Sequence, residues 1–352
     1  GSGRGLAGHA MMLPRAYGEA VLKGKFRSVP EDFHVEEIDA FEAQGEGEHL
    51  LLTIEKRGLN TAFVAKELSK WAGIGEMGIG YAGLKDRHAV TRQRFTVHLP
   101  KKVAPDFSSL KIDGVKLLES HWHHRKLPRG ALAGNRFTLL LRDIEGDVGA
   151  IENRLENIRD FGLPNYFGEQ RFGRERANVG MALKMFAGDR VKREQRSIYL
   201  SAARSEIFNA VLASRIENKN WLSALEGEVW MIDGTHSIFG PEPLDDALKS
   251  RADRLEIHAT GPLWGKGELR TRAQVADCEL AVAGAHRALC EGLEAADMKQ
   301  ERRALRIQLP DLSWKWLQKD QLECRFSLPP GAYATELLAE LGDLQEQSQN
   351  RA

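Results

Sequence analysis

Hydrophobic and polar positions change their period along this chain. From Phe33 to Ile38 apolar residues recur at about every second position, and His49 to Lys56 carries the β-favouring run Leu51-Leu52-Thr53-Ile54, so the chain is expected to begin as sheet. The period then lengthens. Val64, Leu68, Trp71 and Ala72 form a stripe at helical spacing, with Asn60 or Thr61 able to cap its start and Gly73 able to close it. Strands are predicted over 94–99 and 136–142, and a helix over 147–161 with Val148, Ile151, Leu155 and Ile158 on one face. Beyond 173 the pattern turns to longer helices, roughly 176–186, 201–217 and 273–296, with a hairpin-like stretch, GEVWMIDGTHSIFG, between them. Strand character returns near Arg306 and runs through 323–328 into the turn Pro329-Pro330-Gly331 and a final helix.

This texture predicts one mixed α/β (α+β) domain built from both ends of the chain, residues 12–160 plus 310–352, interrupted by a helix-rich insertion over 161–309. Residues 1–11 read as an appended leader ahead of a native start near Met11 or Met12 and are set aside. With 352 residues, 42% hydrophobic and 28% charged, the chain can bury a core in each part, which excludes a disordered or collagen-like protein. The apolar runs, such as 139–141 and 281–285, are far short of the roughly 18 residues a membrane helix needs. No membrane partner is expected, and the cytoplasm is the expected compartment. Cys278, Cys290 and Cys324 form neither a disulfide framework nor a C-x-x-C pair, which fits a reducing environment and speaks against structural zinc.

Formal charge sums to zero but is unevenly spread. Residues 1–200 carry 32 basic and 26 acidic side chains, net +6, so the remainder is net −6, and the densest basic stretches lie at 87–94, 125–142, 171–176 and 190–196. Such a distribution can give a basic face to a polyanion or merely a solvated surface. Two apparent motifs carry little. Gly73-x-Gly75-x-x-Gly78 and Gly78-x-Gly80-x-x-Gly83 follow a predicted helix and precede a strand, the reverse of a dinucleotide fingerprint. His121-Trp122-His123-His124 lacks a carboxylate at ligand spacing, and adjacent histidines on a strand cannot converge on one ion, so no metal is expected.

The segment with chemical content is GYAGLKDRHAVT, residues 80–91. Asp86 stands in a glycine-flanked loop between Lys85 and Arg87, whose charges favour its ionised form. A lone carboxylate with no acidic partner, no Ser or His relay and no metal cluster suits nucleophilic attack or proton abstraction. The same residues also allow a simple turn in which Asp86 pairs with a neighbouring cation.

Together with PEDF (30–33), GNRFTLLLR (134–142), NYFGEQRFG (165–173) and RFSLPPGAYAT (325–335), this segment resembles the TruD family of tRNA pseudouridine synthases over nearly the whole chain and in the same order. The resemblance implies a pseudouridine synthase catalytic domain with a mixed, mainly antiparallel sheet, interrupted by the family's TRUD insertion. It implies an isomerase acting on tRNA, at uridine 13 of the D arm, with no cofactor and no metal, and a monomer is expected. Asp86 falls on the family's catalytic aspartate. Phe137 stands where other pseudouridine synthases have tyrosine and offers a ring to stack on uracil. Asn135 suits the alternating edge of that base, Phe33 and Phe326 fall on aromatic positions lining the pocket, and Arg27 is the basic residue expected beside the aspartate. The alternatives are a non-catalytic tRNA-binding or RNA-remodelling protein, or an RNA enzyme of another class; neither a carboxylate set at metal spacing nor a strand-then-glycine nucleotide motif supports the latter.

Overall fold

A computed structural model describes residues 13–346. The leader assigned to residues 1–11 and the start near Met11 or Met12 lie outside the described residues. Down the chain come β1 (Leu22–Phe26), β2 (Phe33–Asp39), β3 (His49–Arg57), α1 (Thr61–Ala72), β4 (Ile79–Tyr81), β5 (Val90–His98), β6 (Val115–His123), β7 (Leu132–Glu145) and α2 (Val148–Phe161). The middle holds β8 (Leu163–Pro164), α3 (Ala177–Phe186), α4 (Arg193–Glu217), β9 (Trp230–Ile232), β10 (Ile238–Phe239), α5 (Asp246–Asp253), β11 (Ile257–Leu263), α6 (Ala273–Ala285), α7 (Arg287–Ala295), β12 (Glu301–Ala304) and β13 (Arg306–Ile307). β14 (Ser313–Gln318), β15 (Gln321–Leu328), α8 (Ala334–Leu341) and β16 (Gly342–Glu346) follow.

The elements fall into two compact units. One contains residues 20–152, 309–331 and those from 342 on; the other contains residues up to 19, 153–308 and 332–341. The second therefore takes two terminal pieces that the sequence pattern assigned to the split domain. Their chemistry explains it: the backbone N–H of Tyr17 donates to Glu340 Oε1 at 2.9 Å, Arg154 Nη1 donates to the Glu340 carbonyl at 2.5 Å, and Leu337, Leu338 and Leu341 of α8 are buried. An amphipathic helix with its apolar face covered belongs to whichever core covers it.

In the split unit a ten-stranded sheet runs β14-β15-β7-β2-β5-β3-β6, with β1 joining β7 to β16 and β4 flanking β5. The pairs β2–β5 and β1–β16 are parallel and the others antiparallel, the mixed, mainly antiparallel sheet the sequence led us to expect. α1 covers one face of β3 and β5 with Val64, Ala65 and Leu68 packed among Leu52, Ile54, Phe95 and Val97. Its N-cap is Asn60, whose side chain accepts from the Phe63 N–H, and Gly73 ends it with φ of 66°.

The other unit is built around α4, whose Ala202, Phe208, Leu212 and Ile216 pack against Trp230, Ile257 and Ala259 of the β9–β11 sheet. Several elements depart from the sequence pattern, which marked no helix at α5 and no separate strand at β11, β12 or β14. β6 was not anticipated because its burial alternates only weakly, the predicted helix 273–296 breaks at His286 into α6 and α7, and the chain continues past α8 into β16. Among the described residues, no helix is long and apolar enough to cross a membrane.

Candidate active site

Asp86 lies on the loop between β4 and β5 in the split unit, and that loop is fastened from three directions. The Lys85 N–H donates to Thr61 Oγ1 at the start of α1 (2.9 Å), Gln93 Nε2 of β5 donates to the Gly83 carbonyl (3.3 Å), and the Gly130 N–H donates to the Ala82 carbonyl (2.6 Å). Asp86 closes its own turn by accepting the His88 N–H on Oδ1 at 2.9 Å. At Gly80 a Cβ would sit 2.5 Å from Thr96 Oγ1 and 2.8 Å from the Leu127 carbonyl oxygen, so the strand feeding this loop requires glycine.

The cation beside Asp86 comes from far along the chain. Arg27 Nη1 donates to Asp86 Oδ2 at 2.6 Å and approaches Glu346 Oε1 at 3.3 Å. Its guanidinium lies 4.1 Å over the Phe33 ring. Arg27 follows β1 with φ of 56°, a left-handed backbone that a non-glycine residue adopts at a cost of about 1–2 kcal/mol. The pairing of Asp86 with Lys85 or Arg87, open from the sequence, is not what the structure shows: Lys85 turns inward to Glu37 Oε1 at 3.0 Å.

From Phe33 the aromatic contacts continue inward. Phe33 meets Phe137 edge-on, centroids 6.2 Å apart, and Phe137 stacks on Phe326 at 5.3 Å. Register explains the assembly: on β2, β7 and β15, Val35 pairs with Phe137 and Phe137 with Phe326, so the rings project from one face of neighbouring strands. Phe326 is 1% exposed and reaches the surface only through Phe137, which it supports on one ring face. Asn135 stands two residues before Phe137 on that same face, opposite Glu37 and Leu328. Its Oδ1 is buried and has no hydrogen-bond partner among the described residues. Such an orphaned acceptor costs about 1–3 kcal/mol unless a ligand satisfies it. The six residues singled out from the sequence, Arg27, Phe33, Asp86, Asn135, Phe137 and Phe326, thus belong to one unit, and four of them form an unbroken line of contacts from Asp86 through Arg27 and Phe33 to Phe137.

Beneath the loop lies a buried polar layer that the sequence pattern did not reveal. Glu37 and Lys85 form an ion pair with both side chains almost fully enclosed, and Glu37 also accepts the Arg94 N–H. Burial pushes the Glu37 carboxyl up, with Lys85 opposing it. Lys56 is fully buried, donates from Nζ to the Leu59 carbonyl at 2.6 Å, and is lowered to about 8, mainly by burial and next by the charge on Lys85. One signal could have revealed both: Glu37 continues the period-two series Phe33, Val35, and Lys56 continues Leu50, Leu52, Ile54, so each is a charge on an inward face.

The histidine run lies at the end of β6 and just beyond it. His123 stacks on Phe41 at 4.9 Å, and no group of three His, Cys, Asp or Glu among the described residues is placed to hold a metal ion. Several arginines in the basic stretches are used internally. Arg142 grips the buried Asp32 with two bonds of 2.7 and 2.9 Å, Arg129 donates to the Tyr81 carbonyl while lying 3.3 Å over its ring, and Arg176 pairs with Glu169 and Glu206.

A family model described as tRNA pseudouridine synthase D (TruD) matches residues 15–189 and 181–341. The chain belongs to that family. A tRNA pseudouridine synthase D of Xanthomonas campestris pv. campestris (strain 8004) is 55% identical over 348 residues, covering 95% of each chain, and one of Methylococcus capsulatus is 45% identical over 341 residues, again with 95% of each covered. A crystal structure of a candidate TruD from Methanosarcina mazei superposes with a TM-score of 0.72 at 22% identity, covering 93% of this chain and 95% of that one. Membership of the TruD family makes the chain an isomerase, a tRNA pseudouridine synthase. The matched residues include every side chain of the site just described except Glu346.

Proposed function

We propose that this chain converts uridine to pseudouridine at position 13 in the D arm of tRNA, with Asp86 as the catalytic carboxylate. The observation that carries the reading is the convergence of one partly exposed carboxylate, 37% open to solvent and held by Arg27, with the Phe33–Phe137 pair and the unsatisfied Asn135 Oδ1. Pseudouridine formation breaks the bond between uracil N1 and ribose C1′, turns the base, and joins C5 to C1′; the proton leaves C5 and N1 gains one. All atoms of the product come from the substrate, so no co-substrate is consumed, and in this reading protein side chains do the chemistry without metal or cofactor. Asp86 can attack the sugar, attack the base, or remove a sugar proton, and Arg27 holds the carboxylate in place for any of the three.

Phe137 supplies the ring against which the detached uracil stacks, an interaction worth roughly 1–3 kcal/mol. Asn135 Oδ1 is an acceptor for the imide N–H of uracil, which removes the cost of leaving it unpaired. The target base must leave its stack to reach these groups, at a few kcal/mol recovered by such interactions. The chain works as a monomer in this reading. The test is Asp86→Asn assayed on unmodified tRNA transcript by chemical mapping of pseudouridine at single turnover. Near-total loss of product with tRNA affinity unchanged or slightly tighter is expected; a variant retaining more than about a tenth of the rate, a barrier change below roughly 1.4 kcal/mol, removes Asp86 from the chemistry. EDTA should leave the rate of the unaltered protein intact on folded tRNA.

A further inference from the structure

The second unit carries its own basic cavity of about 560 Å³, lined entirely by residues of that unit. Five arginines face it. Three are held in place: Arg204 donates to the carbonyls of Leu263, Trp264 and Lys299, Arg171 donates to Ser201 Oγ and to the Tyr333 hydroxyl, and Arg303 holds Asn165 while lying 3.9 Å over the Phe167 ring. The other two, Arg193 and Arg196, are exposed and have no ion pair among the described residues.

Both sit in the first turn of α4, where positive charge opposes the helix dipole, and Lys192 at the N-cap makes no side-chain capping bond. A single acid, Glu194, stands in that turn. Folding alone would favour the opposite sign here, whereas an anion bound at this point would be stabilised by the guanidinium groups and by the free N–H groups of the turn. The lining is not all charged. Leu200, Leu263 and Met298 add apolar surface, and Ser197 and Ser201 add hydroxyls. Guanidinium groups and apolar side chains in one lining, at a volume within the roughly 300–1,000 Å³ of small-ligand sites, match a nucleotide better than a bare anion or an acidic peptide, since only the nucleotide offers both a phosphate and a flat base.

We propose that this cavity binds one nucleotide of an RNA strand, the phosphate between Arg193 and Arg196 and the base against the apolar side chains of Leu200, Leu263 and Met298. The inference deepens the reading of the chain as a tRNA enzyme by assigning a second point of attachment on the substrate, remote in sequence from the loop that bears Asp86.

The decisive variant is the pair Arg193→Ser with Arg196→Ser, in the full chain, against a control pair Lys219→Ser with Lys249→Ser, exposed lysines of the same unit outside the cavity. The first pair should weaken tRNA binding about tenfold at low salt and reduce the log–log salt slope by about 0.7–0.9 for each phosphate no longer neutralised, with the single-turnover rate at saturating tRNA unchanged. The control should alter neither. Transcripts containing 4-thiouridine should crosslink to residues 193–204 in the unaltered protein and lose that crosslink in the arginine variant. Equal affinity and slope in the variant and the unaltered protein would overturn the proposal. Inorganic phosphate or an acidic peptide binding as tightly as a short oligoribonucleotide would likewise overturn it, by assigning the cavity to a free anion or to a protein. The two readings fail separately: salt-sensitive tRNA binding through these arginines without any pseudouridine sinks only the activity, and full activity with no effect of the arginine pair sinks only the cavity.

Discussion

Each unit buries a cluster of charges, and the two clusters are balanced in different ways. In the second unit Arg215 pairs with Glu228 at 3.0 Å, both almost wholly enclosed, and Arg302 pairs with Glu279 at 2.5 Å close enough for its charge to act on Glu228. Two cations meet two carboxylates, and the set is neutral by itself. In the split unit Lys85 pairs with Glu37 while Lys56 lies buried within range of both. Here two enclosed cations face one enclosed carboxylate. Asp86, itself paired with Arg27, acts favourably on Lys56 from its partly exposed loop. A closed cluster stabilises a fold; an open one ties the interior to the group proposed to react.

The largest effect should come from breaking the closed cluster. Arg215→Met leaves Glu228 buried without its partner and should cost about 3–5 kcal/mol in urea unfolding, while the turnover of the molecules still folded stays as before. Lys85→Met should cost somewhat less stability, about 2–3 kcal/mol, but should also lower the single-turnover rate, because the loop bearing Asp86 loses its anchor on Glu37. If Lys85→Met left that rate untouched, the contrast between the clusters would collapse.

The resemblance to the TruD family pointed to Phe33 and Phe137, alternation placed Phe33 on an apolar strand face, and the glycine-flanked loop drew notice to Asp86. What escaped was polarity inside an apolar series. Glu37 and Lys56 pass for surface charges by residue type, although each continues the inward period-two series of its strand. Charge counting failed for a related reason. Arg142 contributes to a basic stretch in sequence, yet Asp32, 110 residues earlier, claims it in space. The break at His286 was hidden because 273–296 is rich in alanine and the nearest glycine, Gly284, falls inside the last turn of α6 rather than after it, with Ala285 closing the helix and the His286 N–H bonded back to Val282 and Ala283.

A subtler prediction follows from Lys56, whose folded value near 8 lies below its ordinary 10.5. Below pH 8 it is charged in both states and the folded protein carries the full burial penalty; between pH 8 and 10.5 the folded state alone sheds the proton, so stability rises with pH in that window. Measured against Lys56→Met, the unaltered protein should therefore gain up to about 2 kcal/mol from about pH 7.5 to 9.5. A parallel pH dependence in the two proteins would show that Lys56 is not strained. The smallest expected effect lies within the split unit's cluster: Asp86→Asn removes an anion that supports the Lys56 charge, so the onset of that gain should move to lower pH.

The pairing of β7 with β15 also bears on how the protein is made. Phe137 is synthesised long before Phe326, and β7 ends at residue 145 while β15 starts at 321, a gap of 176 residues. At about 5–20 residues per second a ribosome takes on the order of 10–35 seconds to cross it. Throughout that interval the β15-facing edge of β7, a fourteen-residue strand, offers unpaired backbone groups to any other extended chain. The second unit also waits, for α8, and the split unit is complete only when β16, made after α8, reaches β1. Translation speed and the chaperones that shield nascent edges thus decide how much of this enzyme reaches its sheet intact.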